Sequence, residues 1–307
     1  MTKTAAIAVL GLLIFPGYAF AIESGFLKSG DTFTSFEYPV NMNTYAFAIN
    51  DRGMIVGRYD DFASNQHGFL KVGDNYTSID YPGGFNTYAR GINNSGMIVG
   101  FYSSPETHGF FMDGDTYTSF DYPGAYITFA TGTNDRGDIV GDYFTGPGTY
   151  SHGFLKVGDG FVSFDYPGGF LTVPNDINNS GVIIGVYAGS TGQHGFIKVG
   201  DTYSSIDYPG TTSMTTPYAI NDSGVIVGLY YDDSGVHGFT KVGDTYSPFD
   251  YYNMFPDGAK PIGINNAGQI VGYYYSSESV PEPITVLLLA SGLLGLAGYG
   301  RKKFFKN

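Results

Sequence analysis

Gly91-Ile92-Asn93-Asn94-Ser95-Gly96, then Ile98-Val99-Gly100-Phe101-Tyr102, then His108-Gly109-Phe110: the reading of this run decides the fold. It joins an Ile-Asn segment, a turn with glycine, an apolar strand and a His-Gly-Phe strand, and the same order recurs along the chain. All five histidines (His67, His108, His152, His194 and His237) precede Gly-Phe, at separations of 41, 44, 42 and 43 residues, and a copy lacking the histidine begins at Gly25-Phe26. Each Gly-Phe opens a short apolar strand that reaches a Gly-Asp turn such as Gly73-Asp74. An aromatic strand follows and ends in acidic-Tyr, usually before proline, as in Asp80-Tyr81-Pro82 and Asp207-Tyr208-Pro209.

These segments are short, rich in β-branched and aromatic residues, and separated by Gly, Asn, Asp and Pro. That is strand patterning, with no stretch of helical period. The Asn-x-x-Gly step (Asn50 to Gly53, Asn134 to Gly137, Asn178 to Gly181, Asn221 to Gly224, Asn265 to Gly268) suits a tight hairpin whose glycine takes a positive φ. Four strands in about 42 residues match one blade of a β-propeller. The phase is informative. With Ile-Asn as the inner strand, residues 25–39 supply only two outer strands and residues 261–275 only two inner ones. The sequence therefore predicts an all-β, six-bladed β-propeller over residues 22–275, whose last blade is shared by the two ends of the repeat region. Closure removes the exposed sheet edges, a needed device in a chain with no cysteine.

The pattern Ile-Asn-x-x-Gly-x-Ile-Val-Gly followed by His-Gly-Phe resembles the extracellular HAF repeats, with Gly in place of their Ala in every copy. The resemblance covers nearly all of residues 25–275 and implies an extracellular repeat protein, with no established reaction.

The flanks read as targeting signals. Residues 1–21 have Lys3, an apolar run from Ala5 to Phe15, a Pro16-Gly17 break and a small-x-small site at Ala19 and Ala21: a secretory signal peptide, addressed to the secretion machinery. Residues 276–307 carry a polar linker, Val280-Pro281-Glu282-Pro283, an apolar stretch over 284–300 and a basic end over 301–307 with Arg301, Lys302 and Lys303. At about 1.5 Å per residue that stretch makes a short transmembrane helix of roughly 26 Å. This order resembles the PEP-CTERM sorting domain of exosortase substrates in Gram-negative bacteria that make exopolysaccharide. The resemblance implies an exported chain, transiently anchored in the inner membrane, processed by an exosortase-type enzyme and delivered to the envelope, the surface or the outside.

Charge and composition narrow the function. Of the 28 acidic residues only Glu282 lies outside residues 22–279, whereas Lys3, Arg301, Lys302, Lys303 and Lys306 remove five of the 15 basic ones, leaving that stretch a net charge of −17. Such a surface repels phosphate backbones and argues against nucleic acid. The histidines fall one per blade on the third strand, away from the channel, and are read as structural, bonded to a neighbouring loop. Asp60-Asp61 and Asp232-Asp233 point apart and make poor general acid/base partners. Their loops allow a weak Ca²⁺ site, and no other cofactor is indicated. No catalytic or metal residue is assigned. A tentative ligand face combines Tyr59, Tyr102, Tyr143, Tyr187 and Tyr230, at the end of the second strands, with Phe85, Tyr126 and Phe170 in the loops entering the inner strands. The functional expectation is a non-catalytic structural or ligand-binding propeller with exopolysaccharide as the candidate ligand. The alternative is a propeller-scaffold glycan lyase or hydrolase. A channel crowded with carboxylates and basic groups would mark the enzyme, and a bare or aromatic one the binding module.

Overall fold

The computed structural model describes residues 22–38, 42–211, 214–249 and 258–276; the segment read as a signal peptide and the tail from Ser277 onward lie outside them. The described residues form six four-stranded antiparallel sheets and no helix. The first blade runs outward through Thr44–Ile49, Ile55–Asp60, Gln66–Val72 and Asn75–Ile79. Four more blades repeat this order, with inner strands Thr87–Ile92, Ile127–Thr133, Leu171–Ile177 and Thr215–Ile220.

The sixth blade is the shared one. Ile22–Ser29 and Thr32–Phe36 form its outer half, and Ala259–Ile264 and Ile270–Ser276 its inner half. The seam is a seven-pair ladder from Ile22 opposite Ser276 to Lys28 opposite Ile270. A ladder of this length replaces the staple that cysteine would provide.

Each repeat motif has a packing duty. The phenylalanine of every Gly-Phe pair (Phe26, Phe69, Phe110, Phe154, Phe196 and Phe239) is fully buried between sheets. The tyrosine of Asp-Tyr-Pro crosses to the next blade and stacks on the tyrosine that ends its second strand. Tyr81 lies 3.6 Å from Tyr102, ring centre to ring centre, at 6°. Tyr38 on Tyr59, Tyr122 on Tyr143, Tyr166 on Tyr187 and Tyr208 on Tyr230 repeat the contact at 3.6–3.7 Å. A buried threonine fixes the approach, the Tyr81 N–H donating to Thr87 Oγ1 at 3.0 Å. Blade-to-blade cohesion thus combines aromatic area with a fixed backbone anchor.

Candidate functional site

The six inner strands surround a central channel, and two belts of hydrogen bonds close it at the hairpin end. In the first belt each turn asparagine donates its amide to the carbonyl of the next. Asn50 bonds Asn93, Asn93 bonds Asn134, and the series runs through Asn178 and Asn221 to Asn265 at 3.0–3.4 Å. The Oδ1 of the same residue caps its own hairpin, as when Asn50 accepts from the Arg52 and Met54 N–H groups. The glycine three residues on takes the expected positive φ, +74° at Gly53 and +81° at Gly137.

The second belt uses the following residue, which alternates: Asp51, Asn94, Asp135, Asn179, Asp222, Asn266. Every backbone N–H in this series donates to the Oδ1 of its neighbour at 2.7–2.8 Å. Each asparagine amide also bridges the Oδ2 atoms of the aspartates on both sides, at 2.7–3.0 Å. The carboxylates are held by N–H donors rather than by cations. Burial works against the charge of Asp135, yet the Asn94 and Asn179 donors prevail and hold its carboxyl below the usual range.

Deeper in the channel, every inner strand carries a β-bulge. The ladder skips one residue between Ala46 and Ala48, Ala89 and Gly91, Ala130 and Gly132, Pro174 and Asp176, Pro217 and Ala219, and Pro261 and Gly263. The skipped residues are Phe47, Arg90, Thr131, Asn175, Tyr218 and Ile262, and all six line the channel cavity. The glycine of Ile-Val-Gly makes room for the bulge. A Cβ at Gly100 would collide with the Tyr88 carbonyl oxygen, and the equivalent glycines meet the equivalent carbonyls in the other blades. The bulge re-aims one side chain per blade. In a molecule otherwise built by repetition, these six positions carry six different residues around about 740 Å³ of empty space, counting its open mouth.

The electrostatics of this ring are uneven. Arg90 is walled in by protein yet keeps contact with channel solvent, and burial lowers the pKa of its guanidinium. Its Cζ lies 4.4 Å from the centre of the Phe47 ring. Among the described residues it has no hydrogen-bond acceptor and no ion-pair partner. Asp176 stands where the other blades have alanine or glycine; burial pushes it up to about 7, although it accepts from the Ile220 and Ile177 N–H groups at 3.0 and 2.9 Å. Asp142, on the second strand of the third blade, is also pushed up to about 7 by burial, against the Ser151 hydroxyl that donates to it at 2.6 Å and the attraction of Arg90.

The residues predicted to form a ligand face divide into two sets. Tyr59, Tyr102, Tyr143 and Tyr230 are at most 8% exposed, and with Tyr187 they are committed to the interblade stacks. Phe85, Tyr126 and Phe170 are exposed, Phe170 packing against Tyr150. These loops lie at the opposite end of the inner strands from the belts, and none of the eight lines the cavity. Each histidine lies against the tyrosine of its own second strand, and among the described residues four bond the aspartate of Asp-Tyr-Pro: His67 with Asp80, His108 with Asp121, His152 with Asp165 and His194 with Asp207, at 2.6–3.0 Å. His237 bonds Asp232 at 3.0 Å. The acidic pairs diverge: Asp60 faces Arg58, whereas Asp61 caps its own turn by accepting from Ala63 and Asn65. No three metal-ligating side chains gather among the described residues.

Residues 279–302 match the family described as the PEP-CTERM protein-sorting motif. The motif indicates an exported protein with a transient membrane anchor, and such motifs are generally processed by an exosortase. No curated protein sequence matches the chain. Among solved structures the chain is similar to a protein described as a TolB from Agrobacterium tumefaciens, 10% identical, over 84% of this chain and 100% of that one, with a TM-score of 0.64. It is also similar to a mutant of AofleA from Arthrobotrys oligospora, 12% identical over 84% of each chain, with a TM-score of 0.49. A third likeness is to the Aleuria aurantia lectin in complex with Fucα1-6GlcNAc, 10% identical over 76% of this chain and 87% of that one, with a TM-score of 0.48. The first likeness speaks for the fold alone, and the other two are carried no further.

Proposed function

We propose that this chain is an exported, non-catalytic binding module that holds a segment of extracellular polysaccharide in its central channel. The observation that carries the reading is the set of six bulges, which turn six unlike side chains into one cavity of an otherwise periodic ring. Phe47 and Tyr218 offer ring faces, the Thr131 hydroxyl is spent on the Pro174 carbonyl, and Asn175, whose Nδ2 gives one hydrogen to the Pro217 carbonyl, still brings an amide to the cavity wall, a combination that suits a sugar's apolar and hydroxylated faces. Asp142 and Asp176 are occupied by a hydroxyl and by backbone N–H groups, which favours binding over hydrolysis. HAF-type kinship of the repeats and delivery to the envelope or matrix belong to the same proposal. The test is titration of the purified chain with exopolysaccharide from a producing strain and with a glycan array. Binding should weaken about tenfold or more in Tyr218→Ala, a loss of about 1.4 kcal/mol. If no glycan binds the parent chain, the reading is wrong.

A further inference from the structure

Arg90 is the unusual member of the bulge ring. The body has four arginines, and the other three have evident engagements or open surroundings. Arg136 pairs with Asp138 at 2.7 Å, Arg58 faces Asp60 at 3.2 Å, and Arg52 is exposed in a hairpin turn. Arg90 alone is enclosed by protein without a counter-ion among the described residues, in a stretch, residues 22–279, with a net charge of −17. A guanidinium stays protonated in proteins, so this positive charge cannot be relieved by losing a proton. An enclosed charge with no partner is costly, and a repeat scaffold that accepts Phe, Thr, Asn, Tyr or Ile at the same position does not require it.

The surroundings leave that charge available. The Arg90 Cζ lies over the Phe47 ring, and a contact with a ring face supplies no hydrogen-bond acceptor, so the N–H groups keep their capacity to form a fork. Asp142 attracts Arg90 from beyond ion-pair distance but is engaged by Ser151, and Arg58 adds positive field. Tyr218 and Tyr273 are held neutral by burial, and the carboxylates that line the same cavity are engaged by N–H donors, Asp176 by Ile177 and Ile220 and the belt residues Asp51, Asp135 and Asp222 by their asparagine neighbours. The fork matches a planar carboxylate, which takes two parallel N–H···O bonds.

Resting on the polysaccharide reading above, we propose that the channel selects a sugar acid, its carboxylate paired with Arg90 and its ring set among Phe47, Tyr218, Thr131 and Asn175. The acidic body repels a densely charged polymer, so the fit is to an isolated carboxylate on an otherwise neutral chain.

The experiment is calorimetric titration of the full-length chain in detergent with cellobiouronic acid, cellobiose and sodium sulfate, for the parent, R90Q and R90K. The acid should bind at least tenfold more tightly than cellobiose. R90Q should erase that preference while still binding cellobiose, and R90K should keep part of it. Thermal melts report folding, and if R90Q does not fold, R90K and F47L must each reduce the preference. Equal binding of acid and neutral sugar by the parent, or a preference that survives R90Q, overturns the carboxylate assignment and leaves the channel reading standing. Sulfate binding as tight as the acid also overturns it. If neither sugar binds the parent chain, the sugar-acid assignment fails, and the channel reading falls with it only if the exopolysaccharide and the glycan array also show no binding.

Discussion

Asn265 donates its side-chain amide to the carbonyl oxygen of Asn50 at 3.0 Å, across 215 residues of sequence. The bond is the last member of the inner belt and joins the C-terminal half of the shared blade to the first complete blade. Its neighbour, the Asn266 N–H bond to Asp51 Oδ1 at 2.8 Å, closes the outer belt at the same seam.

Replacing Asn265 with alanine removes the bond to Asn50, the bond to Gln269 Oε1 and the acceptor for the Gln269 N–H. The buried carbonyl of Asn50 is left without that donor, so the expected loss is about 2 kcal/mol. Chemical denaturation measures it. A loss below about 0.5 kcal/mol would mean that the inner belt follows closure rather than securing it.

Gly100→Ala is expected to cost about 2–3 kcal/mol, because its methyl group has no room beside the Tyr88 carbonyl unless the bulge flattens. Flattening would withdraw Arg90 from the channel, so sugar-acid preference should disappear with the stability. Unchanged melting together with unchanged binding would refute the link between this glycine and the bulge.

The pH response of Asp142 should run opposite to that of a salt-bridged acid. Burial raises its folded-state value to about 7, above the ordinary value of about 4. The unfolded chain therefore ionises first, and stability is lost as pH rises from about 4 to about 7. Asp142→Asn cannot ionise, so its melting temperature relative to the parent should climb over that interval. A flat difference between pH 4 and 8 would contradict the assignment.

His67 gives a second titration. Burial lowers its pKa, but the Asp80 hydrogen bond and charge, aided by Asp61, outweigh burial and raise it above the ordinary value. The stabilisation is present below about pH 6.5 and is lost as pH rises through the folded-state value. Asp80→Asn should bring the imidazole midpoint down, followed by NMR, and its destabilising effect should shrink as the solution becomes alkaline. A midpoint that does not move would remove Asp80 as the cause.

The strand count, the blade number and the shared sixth blade were legible because Gly-Phe, Asp-Tyr-Pro and Asn-x-x-Gly are each dictated by one recurring contact. A buried phenylalanine, a stacked tyrosine and a positive-φ turn leave the same trace in every copy. The channel ring left no such trace. Phe47, Arg90, Thr131, Asn175, Tyr218 and Ile262 share only their place three residues before the turn asparagine, so comparison of the repeats treats them as noise. The available signal was that variability itself, set between the repeated asparagine and a small or proline residue on the other side. Tyr59 and its equivalents were read as surface aromatics because strand order alone does not tell which side faces the next blade. The tyrosine of the preceding Asp-Tyr-Pro decides it.

The Asp-Asn alternation of the outer belt imposes a rule of parity. Each carboxylate needs an amide on both sides, so a ring with an odd number of repeats must place two carboxylates, or two amides, side by side. Deleting or duplicating one blade would break the pattern at a single junction, whereas changing two together would preserve it. The belt thus counts its own members, and rings of this design are expected to grow or shrink in pairs.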